Sequence, residues 1–251
     1  CMDNATASLS LMLKQLKLAT MVKEWDALGN KAVKEQWSPQ QYLSELCHIE
    51  LANREDKRLQ RLLKDAKLPA GKNLGNFDFN LVDGISKHQV IDLVNQPGWL
   101  KLGSNVLLFG ASGLGKTHIA SGIGYGLIEQ GYKVKFIAAS AIVQQLQQAK
   151  QHLRLQDELL KLDKYNLLIV DDVGYVRKTE QETSVLFELI AHRYERHSMI
   201  ITSNKSFEQW DELFDDSTMT IAAIDRLVHH ATILHCEGES YRRKMAMSNG
   251  S

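Results

Sequence analysis

Residues 106–120, VLLFGASGLGKTHIA, constrain what this chain can fold into more than any other stretch. An apolar run passes into a small-residue loop and then into Lys116 and Thr117, matching G-x-x-x-x-G-K-[ST] at every fixed position. The pattern has a physical meaning only where a buried strand ends and a helix begins. Gly110, Gly113 and Gly115 let the backbone turn tightly and aim its N–H groups inward, and the positive end of the following helix completes an anion site. Lys116 then reaches the outer phosphates, and the Thr117 hydroxyl is a ligand for Mg²⁺. Gly110, Ala111, Ser112, Gly113, Leu114, Gly115, Lys116 and Thr117, with His118 following, are therefore expected to bind ATP. A glycine-rich turn without a ligand would have no use for that lysine and threonine.

The rest of the chain agrees with an α/β fold. The short apolar runs NVLLFG, KVKFIAA, NLLIVDD and SMIITSN alternate with helical segments from Val82 onward, the signature of a parallel sheet covered on both faces. The N-terminal part differs. Leu9, Met12, Leu13 and Leu16, then Leu18, Met21, Val22 and Trp25, recur at three- and four-residue steps and build helix faces. In WSPQQYLSEL, Ser38 is placed to cap a helix, Pro39 suits its first turn, and Gln41 sits at the capping-box position. This predicts a helical domain over 1–67, a linker over the Gly-, Pro- and Asn-rich 68–80, and an ATPase domain over 81–251.

Two further strand ends carry chemistry. NLLIVDD ends in Asp171 and Asp172, where an acid can hold Mg²⁺ and its neighbour can orient an attacking water. SMIITSN ends in Asn204, whose amide can bond the γ-phosphate or that water. Lys116, Asp171, Asp172 and Asn204 are the catalytic candidates, with Thr117 and Asp171 as the metal ligands.

The order of phosphate loop, acidic strand, strand-end Asn204 and then the late Asp225-Arg226 resembles the AAA+ ATPases. NFDF, the phosphate-loop block, DDVGY, SNKSFEQW, IDRLVHHA and GESYR together resemble the IstB-type helper ATPases of insertion sequences, relatives of the DnaC helicase loader in the DnaA-like branch. The resemblance implies a P-loop AAA+ core behind a small all-α N-terminal domain. It implies an ATPase that assembles as a homo-oligomer on double-stranded DNA and recruits a transposase. It further implies a sensor-1 role for Asn204, a trans-acting role for Arg226 in a neighbour's site, and a sensor-2-like role for Arg242. Few residues follow Asn204, so the lid that carries that last residue is expected to be short or absent. Asp172 stands where AAA+ proteins at large usually have Glu, one methylene longer, although the IstB and DnaC relatives often carry Asp; the shorter side chain is expected to hold the water less closely and give slow hydrolysis. A DnaC-like helicase loader is the alternative within the fold. A small-molecule kinase shares the phosphate loop but needs a substrate pocket and lid in place of Asn204 and Arg226.

Formal net charge is zero, so DNA must meet local patches. Lys57, Arg61 and Lys64 share one face of a predicted helix. By the resemblance, Lys150 and Arg154 fall where the DnaA-like branch inserts a channel-lining helix, and Arg177 and Lys178 fall in a loop that faces the pore. No base-reading motif is visible, which predicts salt-dependent binding with little sequence preference. The three cysteines fit neither zinc nor disulfide spacing, and no apolar run reaches membrane-span length, so a cytoplasmic protein without membrane contact is expected. His229 and His230 are adjacent, and consecutive helical residues point to different faces, which argues against a metal site there.

Overall fold

A computed structural model describes residues 2–174, 179–212 and 217–238. The chain divides into two compact units, Cys1–Arg61 and Leu62–Ser251.

The first unit is helical: α1 (Met2–Gln15), α2 (Ala19–Lys34) and the greater part of α3 (Pro39–Ala66). The α3 start is the capping box expected from its sequence, with Ser38 Oγ accepting from the Gln41 amide at 3.1 Å and Gln41 Oε1 accepting from the Ser38 amide at 2.8 Å. Glu50 of α3 is buried. One carboxylate oxygen accepts from the amides of Thr20 and Met21, two otherwise unpaired donors in the first turn of α2, at 2.8 and 3.1 Å. The other accepts from Arg54 Nε at 2.8 Å, while Arg54 Nη2 donates to the Lys17 carbonyl. Burial raises the Glu50 pKa, but Arg54 and the two amides together outweigh it, so the group is held below its ordinary value.

The second unit is built on five parallel strands in the order β2-β3-β4-β1-β5: β1 (Asn105–Phe109), β2 (Val134–Ala138), β3 (Leu167–Val173), β4 (Ser198–Ser203) and β5 (Ala231–His235). The central strands are buried along their length, β1 and β4 entirely, which explains their unbroken aliphatic runs. The fifth strand, ATILH, is not among the four that the apolar runs announce. It is an edge strand with only Leu234 fully buried, and its signal is correspondingly faint.

Around the sheet lie α4 (Lys87–Asn95), α5 (Gly98–Lys101), α6 (Lys116–Glu129), α7 (Ala139–Gln151), α8 (Leu155–Leu162), α9 (Glu180–Arg193) and α10 (Ser217–Val228). Strand parity sorts the layers. Leu107, Phe109, Leu168, Val170, Met199 and Ile201 face α7, α8, α9 and α10 in one core, joined by Trp210. The opposite parity faces α6, where Gly124 comes against Ile169. Small residues on α6 let other elements approach closely. A methyl group added at Gly126 would stand 2.6 Å from Val94 of α4, and one at Gly122 would stand 2.5 Å from Leu74.

That last approach shows what the segment 68–80 does. Its two 3₁₀ turns, Leu74–Asn76 and Phe79–Leu81, are capped by Asn73 and Asp78, and the first packs on α6 within the second unit. Arg193 fixes the far end of the sheet. It is fully buried, and its guanidinium donates to the carbonyls of Leu162, Tyr165 and Ser198 at 3.0–3.1 Å. Burial lowers its pKa to about 10, with Asp163 opposing the shift.

Candidate nucleotide site

β1 ends at Phe109 and α6 begins at Lys116, so the glycine loop occupies the strand-to-helix turn that its motif demands. Gly110 and Gly115 have φ of +143° and +83°. Each is also hemmed in: a Cβ at Gly110 would lie 2.3 Å from the Cys236 carbonyl oxygen, and one at Gly115 would lie 2.5 Å from the Phe77 ring. The first-turn amides of α6 have no helical acceptor and open into the loop. Lys116 is buried against the loop, its ammonium donating to the carbonyls of Gly110 (2.7 Å) and Ala111 (2.9 Å). Burial pushes the neighbouring Cys236 thiol up to about 11, with Lys116 opposing the shift, so it stays protonated. Cys236 and Cys47 are both free.

Thr117 links the loop to the acidic strand. Its Oγ1 lies 3.0 and 3.1 Å from the two oxygens of Asp171. A residue that sequence reasoning missed completes the arrangement. Thr202, buried on β4, donates to Asp171 Oδ1 at 2.6 Å and accepts from the Asp172 amide at 2.8 Å. One hydroxyl thus fixes both acids. It does so at a bulge: Val170 pairs with Ile201 and Val173 with Ser203, so β3 uses one residue more than β4. Asp172 sits in this bulge at φ +67°, a left-handed conformation uncommon for a non-glycine, and points to solvent while Asp171 is half-buried. The only sequence signal for Thr202 is a hydroxyl interrupting an aliphatic strand two residues before Asn204.

Asn204 follows the tip of β4, and its Oδ1 is buried without a hydrogen-bond partner. A buried orphan of this kind costs about 1–3 kcal/mol unless something fills it. His118, on the first turn of α6, meets the Asn73 carbonyl at 2.8 Å and the Phe77 ring edge-on at 5.1 Å. The segment 68–80 is thereby tied to the start of the phosphate-loop helix. The donor set fits a magnesium nucleotide: amides and an ammonium for phosphate, a hydroxyl and a carboxylate together for a hard cation, and an unpartnered amide oxygen at the adjacent strand tip.

Not every expected residue joins this cluster. Arg226 is exposed on α10, its Nη1 3.4 Å from the Ala222 carbonyl of its own helix. α10 leads into β5 through His230, whose carbonyl accepts from the Asn105 amide at the start of β1, whereas the phosphate loop lies at the end of β1. Within one chain the arginine and the loop therefore stand at opposite ends of the sheet. Lys57, Arg61 and Lys64 are exposed along α3. Lys150 is engaged by Glu188 and Ser184, both at 3.0 Å, and Arg154 is exposed at the start of α8. Arg177, Lys178 and Arg242 lie outside the described residues. The expectation that His229 and His230 diverge is corrected: α10 ends at Val228, both histidines lie in the turn beyond it, and their ring centroids are 4.2 Å apart. Among the described residues, no helix is long and apolar enough to cross a membrane.

Residues 11–249 match the model of the family described as IstB-like ATP binding protein. The chain is 47% identical, over 96% of its length and 81% of the relative's, to the insertion sequence ATP-binding protein y4iQ/y4nD/y4sD of Sinorhizobium fredii. It is 35% identical to the ATP-binding protein of insertion sequence IS21 from Pseudomonas aeruginosa, covering 94% of this chain and 89% of that one. Its fold is similar to that of the DnaC helicase loader (TM-score 0.54, 18% identity, 67% of this chain and 98% of that one). It is also similar to that of AMPPCP-bound DnaA from Aquifex aeolicus (TM-score 0.57, 18% identity, 73% and 55%). The α/β core thus has the fold of those two proteins, and the chain belongs to the IstB-like family of insertion sequence ATP-binding proteins.

Proposed function

We propose that the protein is an ATP-hydrolysing switch that assembles as a homo-oligomer on double-stranded DNA and brings the transposase of its insertion sequence to that DNA. The observation that carries the reading is the separation of Arg226 from its own phosphate loop. An exposed arginine at the far end of the sheet, on a helix whose tip faces solvent, is suited to complete the site of an adjoining copy.

In this reading each side chain has a defined task. The loop amides and Lys116 neutralise the phosphate chain, for which Lys116 must release the carbonyls of Gly110 and Ala111. Thr117 and Asp171 hold Mg²⁺, with Thr202 keeping the carboxylate turned toward them. The ion, when bound, supplies charge neutralisation for phosphoryl transfer. Asp172 orients the attacking water from its bulge, and the orphaned amide of Asn204 takes a hydrogen bond in the same place. Arg226 from a second copy stabilises the charge that develops, a contribution of about 10³–10⁵ in rate for such fingers. Arg242 is proposed to touch the nucleotide from the C-terminal end. The shorter reach of Asp172 makes turnover slow, which suits a timer.

Duplex DNA is proposed to be held by its backbone, through Lys57, Arg61 and Lys64 on α3 and through Lys150, Arg154, Arg177 and Lys178 on the ATPase unit. The insertion sequence relatives favour a transposase over a replicative helicase as the protein partner. The decisive experiment is Arg226→Ala. Nucleotide affinity is expected to stay within about twofold of wild type, while the DNA-stimulated ATPase rate, and its rise with protein concentration, disappear. An unchanged rate, or one independent of protein concentration in the wild type, would remove the trans-acting role. Pull-down with the transposase and with the helicase distinguishes the two partners.

A further inference from the structure

Three residues after Arg226, the chain leaves α10 and turns into β5 through His229 and His230. The His229 amide still donates to the Asp225 carbonyl of the last turn, and beyond it the two imidazole centroids come 4.2 Å apart. Glu195, in the turn that follows α9, brings its Oε1 to 3.5 Å from His229 Nδ1. The Tyr194 hydroxyl stands 2.9 Å from that same nitrogen, a hydrogen bond that Nδ1 gives up if it is the ligating atom. One donor atom from each of Glu195, His229 and His230 lies within 4.8 Å of the others, and all three side chains are exposed.

We propose that Glu195, His229 and His230 form a binding site for a divalent transition-metal cation of the zinc class. Two imidazoles and one carboxylate are a donor set for such ions and a poor one for Mg²⁺ or Ca²⁺, which take oxygen. Ligands around a shared tetrahedral ion stand about 3.5 Å apart, given bonds of about 2.0–2.2 Å. The present spread closes to that value by rotamer adjustment, which exposure permits. The helix dipole points the same way, with the Arg226 guanidinium in the last turn opposing it. The cluster follows the C-terminus of the 12-residue α10, where the negative end of the helix dipole favours a cation. Three protein ligands leave a coordination position for water or for a side chain of another molecule. Because the site shares the α10 tip with Arg226, the ion would lie on the surface assigned above to subunit contact. The site itself rests on the geometry of a single chain and does not depend on that assignment.

The test uses the full, untagged chain stripped of metal by a chelator. Zn²⁺ is titrated in competition with a chromophoric chelator, and Co²⁺ is added separately as a spectroscopic probe. The expected result is one Zn²⁺ equivalent per chain and the intense visible bands of four- or five-coordinate Co²⁺. Both should be lost in the His229→Ala/His230→Ala double variant, and Glu195→Gln should weaken Zn²⁺ at least tenfold. Asp171→Asn should leave the equivalent in place, separating this site from the phosphate end. The proposal is overturned if the wild type shows no saturable equivalent. It is equally overturned if the double variant keeps one, which would move binding elsewhere, such as to His192, Asp163 and His197. Circular dichroism establishes that each variant is folded, and Glu195→Gln, an exposed isosteric change, serves alone should the double variant unfold.

Discussion

Replacing Thr202 by valine keeps the shape of a fully buried side chain and removes only its hydroxyl. Two hydrogen bonds go with it. The 2.6 Å bond to Asp171 is charge-assisted and contributes about 1.5–3 kcal/mol. The 2.8 Å bond from the Asp172 amide contributes about 0.5–1.5 kcal/mol, reduced because Asp172 is exposed and water can replace the acceptor. The net loss is about 2–3 kcal/mol. In a unit of this size that lowers Tm by about 4–12 °C. Stability alone would not identify the role, since any buried hydroxyl has some cost. The specific consequence is for Mg²⁺. With Asp171 anchored only by Thr117 and the bulge at Asp172 unpinned, the concentration of Mg²⁺ that half-saturates ATPase activity should rise about 10–100-fold, the range for residues that orient metal ligands. Nucleotide affinity without the metal should hardly change. Thr202→Ser restores the hydroxyl and should recover both measurements to near wild type. Thermal unfolding and a Mg²⁺ titration of phosphate release test this directly. If the valine and serine variants match in Mg²⁺ dependence, Thr202 is a packing residue and the organisation of the two acids needs another source.

Three other outcomes are expected. Glu50→Gln should destabilise the N-terminal unit by about 1–3 kcal/mol at pH 7, measured by urea unfolding, because two α2 amides and Arg54 lose a charged acceptor. The folded-state pKa of Glu50 is depressed, so its contribution is complete above the ordinary value of 4.5 and fades as pH falls below it; the gap between wild type and variant should close in acid. Gly115→Ala places a methyl group against Phe77 at a positive φ and should cut ATP affinity tenfold or more in a fluorescent-nucleotide assay, with part of the loss recovered by adding Phe77→Ala. Changing Lys57, Arg61 and Lys64 together to alanine should weaken binding to unrelated duplexes equally and flatten the log–log salt slope by about 0.9 for each phosphate no longer neutralised; an unchanged slope would take α3 out of the DNA surface.

What the sequence disclosed, and what it hid, follow from the range of the interactions concerned. The phosphate loop is legible because its constraints are local: a turn, a helix N-terminus and two side chains, all within one contiguous stretch. The three inner strands, β1, β3 and β4, are legible for a related reason, since burial on both faces leaves an aliphatic record, whereas the edge strand β5 keeps only Leu234 fully inside and is not. The Ser38 capping box can be read in the same local way. Thr202 cannot. Its hydroxyl matters only because β4 lies beside β3 and slips by one residue at Asp172, and a β-branched residue in a strand otherwise reads as ordinary packing. The same holds for 68–80, whose glycines and asparagines signal a connection while Leu74 and Phe77 find partners on α6. His229 and His230 mislead for the opposite reason: the rule of diverging helical neighbours holds only as far as Val228, where the helix stops. The residues that sequence alone misjudges are therefore those whose chemistry depends on where an element stops or which strand lies beside it, and Thr202 and His229 are where experiment has the most to decide.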